Sequence, residues 1–555
     1  MKRSTSYALL SIFLLAVYLR LLPVTRYLFW GADFGEYFLI TRLLSEGSPL
    51  PDPYLGWGVG YPEFSGMEVL VASTSWTGIP LEAAAVLMVP ILSSLIVVPA
   101  FLIGREVTGR DWPALLAAAI VAVVLPHVYP TSHPIPGALG DLFVASSLLL
   151  LLRLREDGKL FALLIPLALA LVVVHHLSSY ILMISTFMVA FMRVALRGAS
   201  FGEIRRETAL LGFLVGANVA YWAVYAESFR TFLGIERFPW WVTAILILAL
   251  PAVLYPISIL RSHISWTYRP SSRPASRDWK ILGLAALLTS LILVVFYYSQ
   301  VPGTTVSVSQ ASLLYSAPFV FLFLFSAPGR RYFDFLPGGP SITSWFLALN
   351  ISWILGGFIA PTFLIPYRHL EYLTLPLAIF GGMGAFQLMR AIGRGKRLLV
   401  LLLSALIILG ALTALPPREV LGNHFEGTRA EGMNVVQWSV GRVDGVTATD
   451  HRASSILFGF TGVRATWDSV SLALHAPSFD EARQEMEWVE ELPGGPGRVD
   501  YVLLDRDLVA GAMLFPWDPA LPLSPQALDK FLGGDYLKLY DDGYSQLYRV
   551  NWGAS

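Results

Sequence analysis

The chain contains thirteen long apolar stretches, and this pattern constrains its fold more than any other feature. Each stretch is long enough, or nearly so with its flanks, to cross the roughly 30 Å of hydrocarbon that about 20 helical residues span. The stretches lie near 6–24, 81–103, 112–128, 140–154, 159–176, 178–196, 209–227, 241–260, 281–300, 312–328, 341–365, 371–391 and 398–415. With 55% hydrophobic and 14% charged residues, a soluble fold would have too little polar surface. The sequence therefore predicts a polytopic α-helical membrane protein with about 13 transmembrane helices.

The lysines and arginines in the connections predict how the chain is oriented. Of the 28 such residues before position 400, 22 fall in connections that can all lie on one side of the membrane. Under the positive-inside rule, this richer side faces the cytoplasm. We therefore predict a multi-pass protein of the cell membrane, with a cytoplasmic N-terminus and an extracytoplasmic C-terminal part.

Net charge and cysteine content exclude several kinds of site. The formal net charge is zero, so no global basic field indicates nucleic acid as a partner. The chain has no cysteine, which excludes disulfides, thiolate metal sites and cysteine nucleophiles. The candidates for chemistry are therefore carboxylates, histidines and arginines.

The sequence changes character at Pro416–Pro417, where loop-forming and charged residues reach ordinary globular density. We predict a transmembrane domain over 1–415 and a soluble α/β domain over 416–555. Within the second, 445–450 and 501–505 are typical of buried strands, and 478–492 of an amphipathic helix. Two alternating runs around Asp541-Asp-Gly predict a hairpin near the C-terminus.

Two acids follow the first span directly, at the start of a long loop on the predicted outer side. They are Asp33 and Glu36 in Trp-Gly-Ala-Asp-Phe-Gly-Glu-Tyr. Because they are three residues apart, one helical turn points both carboxylates the same way. The spacing suits joint coordination of a hard divalent cation, or a general base beside a metal ligand. It equally suits a helix N-cap with a capping-box glutamate.

The second outer connection carries His127 and His133, and Asp141 stands at the outer end of the fourth span. Imidazole and carboxylate are both competent ligands for ions such as Mn²⁺ or Mg²⁺. His133 and Asp141 are therefore candidate metal ligands. The alternative for Asp141 is the N-cap of the fourth span.

Two further outer turns carry groups suited to phosphate. His175 and His176 occupy a tight turn, where they either bind phosphate or face interfacial water. Arg368 and His369 lie in a very short connection, which holds the guanidinium at a defined depth. An arginine there suits a bidentate grip on phosphate oxygens, and the alternative is an interfacial anchor.

All these groups share the predicted outer side, and at this point the chain resembles a GT-C membrane glycosyltransferase. It most nearly resembles the archaeal-type catalytic subunit of oligosaccharyltransferase. The resemblance rests on thirteen spans, an inner N-terminus, an acidic motif right after span one and an outer C-terminal domain. It implies a GT-C-like fold for most of 1–415.

The resemblance also implies roles for particular residues. In that family the first-loop aspartate binds metal and engages the acceptor, a role that falls on Asp33. The second acidic motif is matched by Asp141, with His133 as an additional ligand of the divalent cation. The late arginine that holds donor pyrophosphate is matched by Arg368.

Two departures from the family pattern concern the acceptor. Ser307-Val-Ser-Gln310 is similar to a Ser-Val-Ser-Glu motif of the family, but Gln310, on the acceptor side, lacks the negative charge. The Trp-Trp-Asp-Tyr-Gly motif that recognises an Asn-x-Ser/Thr acceptor is absent, and Thr449-Asp-His-Arg452 follows a strand at a comparable place. We therefore expect an acceptor other than the asparagine sequon.

Together these features predict an inverting, metal-dependent glycosyltransferase. It would move a sugar or glycan from a polyprenyl (dolichyl-type) phosphate or pyrophosphate donor to a lipid, glycan or protein acceptor. The cation and Arg368 would neutralise the leaving phosphate, and Asp33 or Glu36 would orient or deprotonate the acceptor. The alternatives are a transporter or lipid flippase, which commonly shows inverted repeats and midplane charges, and a catalytically inactive scaffold.

Overall fold

The computed structural model shows a mostly α-helical protein with a small amount of β-sheet. The structure describes residues 2–154, 156–232, 253–261, 263, 276–299, 310–336, 338–358, 364, 366–392, 396–421, 425–511 and 521–553. Most of the predicted span 241–260 and all of Ser307–Ser309 lie outside the described residues.

Long apolar helices make up most of the first 413 residues. Their bounds are α1 Arg3–Leu21, α2 Phe34–Ser45, α3 Gly66–Ser75, α4 Leu81–Ser94, α5 Val97–Thr108, α6 Asp111–Val123, α7 Leu125–Thr131, α8 Pro136–Arg153, α9 Phe161–Val174, α10 His176–Arg197, α11 Arg205–Val224, α12 Glu227–Phe232, α13 Ser276–Tyr298, α14 Gln310–Phe333, α15 Gly339–Phe358, α16 His369–Ile392 and α17 Lys396–Thr413. Helices thus occur at every predicted span, although only 253–260 of the eighth is described.

Within the described residues, eight helical segments are long and apolar enough to cross a membrane. The pair α6 and α7, bent by 57°, makes a ninth candidate. Three shorter apolar helices lie over Gly158–Val174, Trp279–Val295 and Arg397–Thr413. The multi-pass membrane architecture is therefore confirmed, whereas the count of thirteen and the orientation stay predictions.

Helix α16 lies at the centre of the helical part, against α14, α15 and α6. Glycines let the backbones approach closely, as is common between membrane helices. A Cβ atom at Gly329 of α14 would lie 1.9 Å from the Phe380 carbonyl oxygen of α16, and one at Gly384 would lie 1.9 Å from the Phe325 oxygen. This packing holds α16 closely against α14, and Arg368 is the residue directly before α16.

The C-terminal region combines short helices with most of the strands. The helices are α18 Gly432–Ser439, α19 His451–Thr461, α20 Ser471–His475, α21 Phe479–Met486, α22 Arg506–Ala510 and α23 Pro525–Asp529; the strands of the chain are β1 Phe29–Trp30, β2 Gly427–Thr428, β3 Val446–Ala448, β4 Val499–Asp505, β5 Tyr536–Asp541 and β6 Ser545–Val550. Strands β3, β4, β6 and β5 form one sheet in that order, with β3 and β4 parallel and the other pairs antiparallel. The predicted strands and hairpin are confirmed. The predicted helix over 478–492 ends at Met486, because Val489 then pairs with Gly497 in an isolated bridge.

The two faces of this sheet pack into different apolar clusters. Val502 and Leu504 of β4 lie in a cluster with residues of α21. Leu503, which points to the opposite face as alternation in a strand requires, lies in a cluster with Phe34 and Phe38 of α2. This face of the sheet and helix α2 of the first long loop therefore belong to one apolar cluster, together with residues of α19.

Candidate active site

Asp33 lies where the first long loop changes from strand to helix. Strand β1 pairs with β2 of the C-terminal region, and Gly31, with φ of +117°, turns the chain toward α2. Glycine adopts such positive φ values without the steric cost that other residues meet. Asp33 occupies the N-cap position of α2, but its side chain makes no capping hydrogen bond. The capping-box interpretation of Asp33 and Glu36 is therefore wrong.

Both carboxylate oxygens of Asp33 instead have partners from distant parts of the chain. Nε2 of His451 lies 2.8 Å from Oδ1, and the Tyr61 hydroxyl donates to Oδ2 at 3.0 Å. On the other side of the imidazole, Nδ1 lies 3.1 Å from Oδ2 of Asp468. Burial alone would lower the pKa of His451, but hydrogen bonds to Asp33 and Asp468 and their charges raise it to about 10. The ring is therefore a cation held between two carboxylates at neutral pH.

A close helix crossing brings His451 to Asp33. A Cβ atom at Gly35 of α2 would lie 1.9 Å from the carbonyl oxygen of Ser455, and one at Gly459 of α19 would lie 2.2 Å from the Gly35 oxygen. The Gly35 amide also donates to Ser455 Oγ at 3.0 Å. Because the two helices touch through their backbones, their first residues lie side by side, and His451 is the first residue of α19.

Glu36 lies one turn into α2 and is fully buried. Its Oε1 accepts from the Tyr54 hydroxyl at 3.0 Å and from the Gly58 amide at 3.2 Å. Burial, and then the negative charge of Asp33, raise the pKa of Glu36 to about 8. The Asp33 side chain, by contrast, is 21% exposed. Of the two predicted catalytic acids, Asp33 is the one that a ligand reaches from solvent.

Arg368 ends a short 3₁₀-helix over Pro366–Arg368. Its charge acts on the hydroxyls of Tyr37 and Tyr61, whose rings stack with centroids 4.8 Å apart. Tyr61 in turn donates to Asp33. The charges of the predicted phosphate-binding Arg368 and of the predicted catalytic Asp33 therefore both act on this tyrosine pair.

The three candidate phosphate-binding histidines lie in different surroundings. His175 and His176 both lie within electrostatic reach of Arg368, and His175 Nδ1 lies 2.7 Å from Ser178 Oγ. His369 is buried, with Nε2 2.7 Å from Ser352 Oγ of α15. The charge of Arg368 therefore acts on His175 and His176, whereas the His369 ring contacts a neighbouring helix, and phosphate binding by these histidines stays a prediction.

His133 links the second connection to the C-terminal region. Its Nδ1 donates to the Tyr129 carbonyl oxygen at 2.8 Å, and its Nε2 lies 2.5 Å from Oε2 of Glu426. The Tyr129 hydroxyl donates to Oε1 of the same glutamate at 2.6 Å. Glu426 directly precedes β2, so these contacts reinforce the pairing of β1 with β2.

Asp141 belongs to a separate buried cluster among the helices. Its Oδ2 lies 2.7 Å from Nε2 of His127, and Nδ1 of His127 lies 2.7 Å from an Arg20 guanidinium nitrogen. Arg20 also donates to the Thr131 hydroxyl at 2.9 Å. The first span thus ends in a buried cation that is joined through His127 to Asp141.

The predicted metal ligands Asp33, His133 and Asp141 therefore have three different partners. In the part of the chain that the structure describes, no group of three or more His, Asp or Glu side chains converges as a metal site. This arrangement does not fit a shared metal centre, and cation binding stays a prediction. Gln310 is the exposed first residue of α14, next to residues outside the described ranges, so its acceptor-side role also stays a prediction.

Sequence reasoning did not identify Tyr61 or Asp468 as part of the site. Tyr61 is one of 23 tyrosines and carries no distinguishing motif. His451 stood in the segment after β3, and side chains at the carboxyl end of a parallel strand commonly line sites. Its position after this strand is therefore the sequence feature that could have indicated a functional role for His451.

Comparison with known proteins places this arrangement in a known fold. No family model matches the chain, and no curated protein matches it in sequence. Archaeal oligosaccharyltransferase AglB from Archaeoglobus fulgidus, in complex with an inhibitory peptide and a dolichol-phosphate, matches with a TM-score of 0.59 at 13% identity, covering 100% of this chain and 75% of that chain. The Archaeoglobus fulgidus oligosaccharyltransferase tethered to an acceptor peptide containing the NVT sequon matches with a TM-score of 0.60 at 14% identity, covering 99% and 74%.

These similarities show that the chain has the fold of archaeal oligosaccharyltransferase. The shared fold extends over essentially all of this chain and about three quarters of each oligosaccharyltransferase chain. The resemblance inferred from the sequence is therefore confirmed at the level of the fold.

Proposed function

We propose that this chain is a membrane glycosyltransferase that takes a sugar or glycan from a polyprenyl phosphate or pyrophosphate donor. The acceptor is a lipid, glycan or protein group outside the cytoplasm, and it is not the asparagine sequon, because the motif that recognises the sequon is absent. One of the two oligosaccharyltransferase structures holds an inhibitory peptide and a dolichol-phosphate, and the other a tethered acceptor peptide. The dolichol-phosphate supports a lipid-linked donor in this fold.

One observation carries the proposal: the partly exposed Asp33 carboxylate and the half-buried Arg368 guanidinium both act electrostatically on the same pair of stacked tyrosines. Asp33 accepts from Tyr61, Tyr61 stacks on Tyr37, and the charge of Arg368 acts on both rings. A sugar-phosphate donor needs a cation at its phosphate and a hydrogen-bond acceptor for the incoming hydroxyl. This site offers a group of each kind within electrostatic range of the same two tyrosines.

In the proposed reaction, Arg368 binds phosphate oxygens and neutralises the charge that grows on the leaving phosphate. Its planar guanidinium offers two parallel donors for this purpose. Asp33 accepts a hydrogen bond from the acceptor nucleophile, orients it toward the anomeric carbon and takes up its proton as the new glycosidic bond forms. The phosphate leaves with the electrons of the broken C–O bond, and this direct displacement inverts the anomeric carbon. No metal-dependent step is included, because the predicted ligands have other partners.

The test is transfer of labelled sugar from polyprenyl-phosphate donors by the purified chain in liposomes. Donor binding is measured separately with Arg368→Lys and Arg368→Ala. We expect Arg368→Lys to lose most transfer, because an ammonium lacks the planar fork, and Arg368→Ala to lose more. Arg26→Lys changes an exposed arginine and serves as the matched control with wild-type transfer.

Two results would contradict the proposal. Wild-type transfer by Arg368→Lys, with unchanged donor affinity, would remove Arg368 from the donor site. Absence of transfer by wild type with every polyprenyl-phosphate donor, together with movement of the lipid between leaflets, would favour the flippase alternative.

A further inference from the structure

The Asp33 carboxylate leaves little room for a metal ion. His451 Nε2 faces Oδ1 at 2.8 Å and the Tyr61 hydroxyl faces Oδ2 at 3.0 Å, so each oxygen already has a hydrogen-bond donor. The other predicted ligands are engaged elsewhere, His133 with Glu426 and Asp141 with His127. The position beside Oδ1 that a cation would take is filled by an imidazole nitrogen.

The imidazole of His451 is built into this position. Both ring nitrogens face carboxylate oxygens at hydrogen-bond distance, Nε2 toward Asp33 and Nδ1 toward Asp468, and each can donate only if it carries a proton. The His451 side chain is fully buried. The Trp57 and Trp467 rings lie edge-on to it, with centroids at 5.0 Å and 5.5 Å. These contacts leave the ring one orientation.

We propose that His451 takes the place of a metal ion at Asp33. It is a positioning residue: its Nε2–H holds Oδ1 while Tyr61 holds Oδ2, and Asp468 fixes the ring from behind. This inference deepens the proposed glycosyl transfer and rests on it for the role of Asp33. It also makes the C-terminal region part of the site, because the Asp33 carboxylate is held by a group from that region.

Geometry outside the ring supports the same assignment. Asp450 caps α19, accepting from the Ala453 amide at 2.9 Å, so the helix begins at His451. The contact of Gly35 with Ser455 then sets the distance between the two helix starts. If His451 only filled space beside Asp33, neither the N-cap that fixes the start of α19 nor the contact of Nδ1 with Asp468 would be needed.

The first arm of the test measures metal binding without activity. Mn²⁺ binding to the purified chain in nanodiscs is followed by electron paramagnetic resonance for wild type, Asp33→Asn and His451→Ala. We expect wild type and Asp33→Asn to bind Mn²⁺ equally weakly, with no site that depends on Asp33. Micromolar Mn²⁺ binding by wild type that Asp33→Asn abolishes would overturn the inference, whatever the transfer assay shows.

The second arm measures sugar transfer in the presence of chelator. We expect wild-type transfer to persist in chelator. His451→Ala should lower kcat about 100-fold with donor KM unchanged, which is the cost typical of losing one positioned donor. His451→Gln, which keeps an N–H near the Nε2 position, should recover part of that loss, and Asp468→Asn should lower kcat less than His451→Ala. Transfer that stops in chelator and returns with Mn²⁺ would overturn the inference while leaving glycosyl transfer intact.

His475→Gln is the matched control, because it makes the same change at the end of α20, where the charge of Lys530 acts on the imidazole. It should leave kcat and donor KM at wild-type values. If His451→Ala does not fold, the transfer measurement uses Asp468→Asn and His451→Gln instead. Wild-type kcat in both of these folded variants would contradict the positioning role.

Discussion

Two buried histidines of this chain each bind a carboxylate, yet their surroundings differ. His451 lies between Asp33 and Asp468, whose side chains are 21% and 19% exposed. His127 lies between Asp141 and Arg20 among the apolar helices, and the Asp141 side chain is only 4% exposed. The first cluster is open to a ligand on its acidic side, whereas the second is closed.

This difference in exposure distinguishes a candidate functional site, around His451, from a cluster that stabilises the fold, around His127. In the closed cluster, acid, histidine and arginine neutralise one another, as buried charges in a membrane protein must. In the open cluster, two carboxylates share one imidazole and Asp33 keeps an accessible surface. The same residue types therefore serve helix packing in one place and, in the proposed function, acceptor binding in the other.

The largest expected effect concerns the open cluster. Asp33→Asn removes the charge that accepts the nucleophile's hydrogen bond, and we expect transfer to fall about 10²–10³-fold. Thermal stability should change less than in the closed cluster, because Asp33 is 21% exposed and Asp468 still pairs with His451. Asp52→Asn, at an exposed position of the same loop, should transfer sugar like wild type. Undiminished transfer by Asp33→Asn would show that Asp33, like Asp141, has a structural role and no role in transfer.

A steric change at the helix crossing should break the open cluster from a distance. In Gly35→Ala the new methyl would lie 1.9 Å from a backbone oxygen that cannot move away freely. We expect about 1–3 kcal/mol of destabilisation, as for overpacked cores, and loss of transfer. Gly283→Ala, whose Cβ would meet nothing within 4 Å, is the control. Equal melting temperatures for the two variants would show that α2 and α19 do not touch.

The closed cluster should respond in the opposite sense to Asp33. Asp141→Asn leaves His127 and Arg20 without their acid, and we expect a loss of about 1–3 kcal/mol of stability. Transfer per folded molecule should stay near wild type. These quantities are measured as the melting temperature in detergent and as transfer normalised to folded protein. A 100-fold loss of transfer with unchanged stability would instead place Asp141 in the active site.

The last expected effect is a pH dependence of stability from Glu68 of α3. Both its carboxylate oxygens are buried without a hydrogen-bond partner among the described residues, and burial raises its pKa to about 8. The folded state therefore favours the protonated acid, so stability is full below the ordinary pKa of about 4.5 and falls as pH rises toward 8. The slope of this term is about 1.4 kcal/mol per pH unit at most.

Glu68→Gln removes this titration and keeps the shape of the side chain. Melting temperatures between pH 5 and 8 should fall less for Glu68→Gln than for wild type, and Glu63→Gln, at a less buried acid of the same loop, should leave the wild-type slope unchanged. Parallel curves for wild type and Glu68→Gln would contradict the buried, protonated state.

Most of the helical architecture was predictable from sequence, because a membrane span must be a long apolar helix to satisfy its backbone in lipid. The hairpin around Gly543 was also predictable, since φ of +80° at this glycine follows the turn chemistry of Asp-Gly. Both features depend on residues close together in the chain.

The site was predictable only in part. Asp33 and Arg368 were predicted from their place beside spans, whereas the partner of Asp33 is 418 positions away and depends on how two helices cross. Asp141 was predicted to face outward as a ligand, but Arg20 and His127 engage it in a buried cluster. Local spacing does not indicate which distant side chain will occupy a carboxylate.

The most direct measurement is a cryo-electron microscopy structure of the chain with a polyprenyl-phosphate donor. We predict that the donor phosphate lies within hydrogen-bond distance of the Arg368 guanidinium, on the side of Tyr37 and Tyr61. The anomeric carbon should face Asp33, and His451 should still be bound to Oδ1 of Asp33. A phosphate held away from Arg368, or a metal ion between Asp33 and the phosphate with His451 displaced, would contradict it.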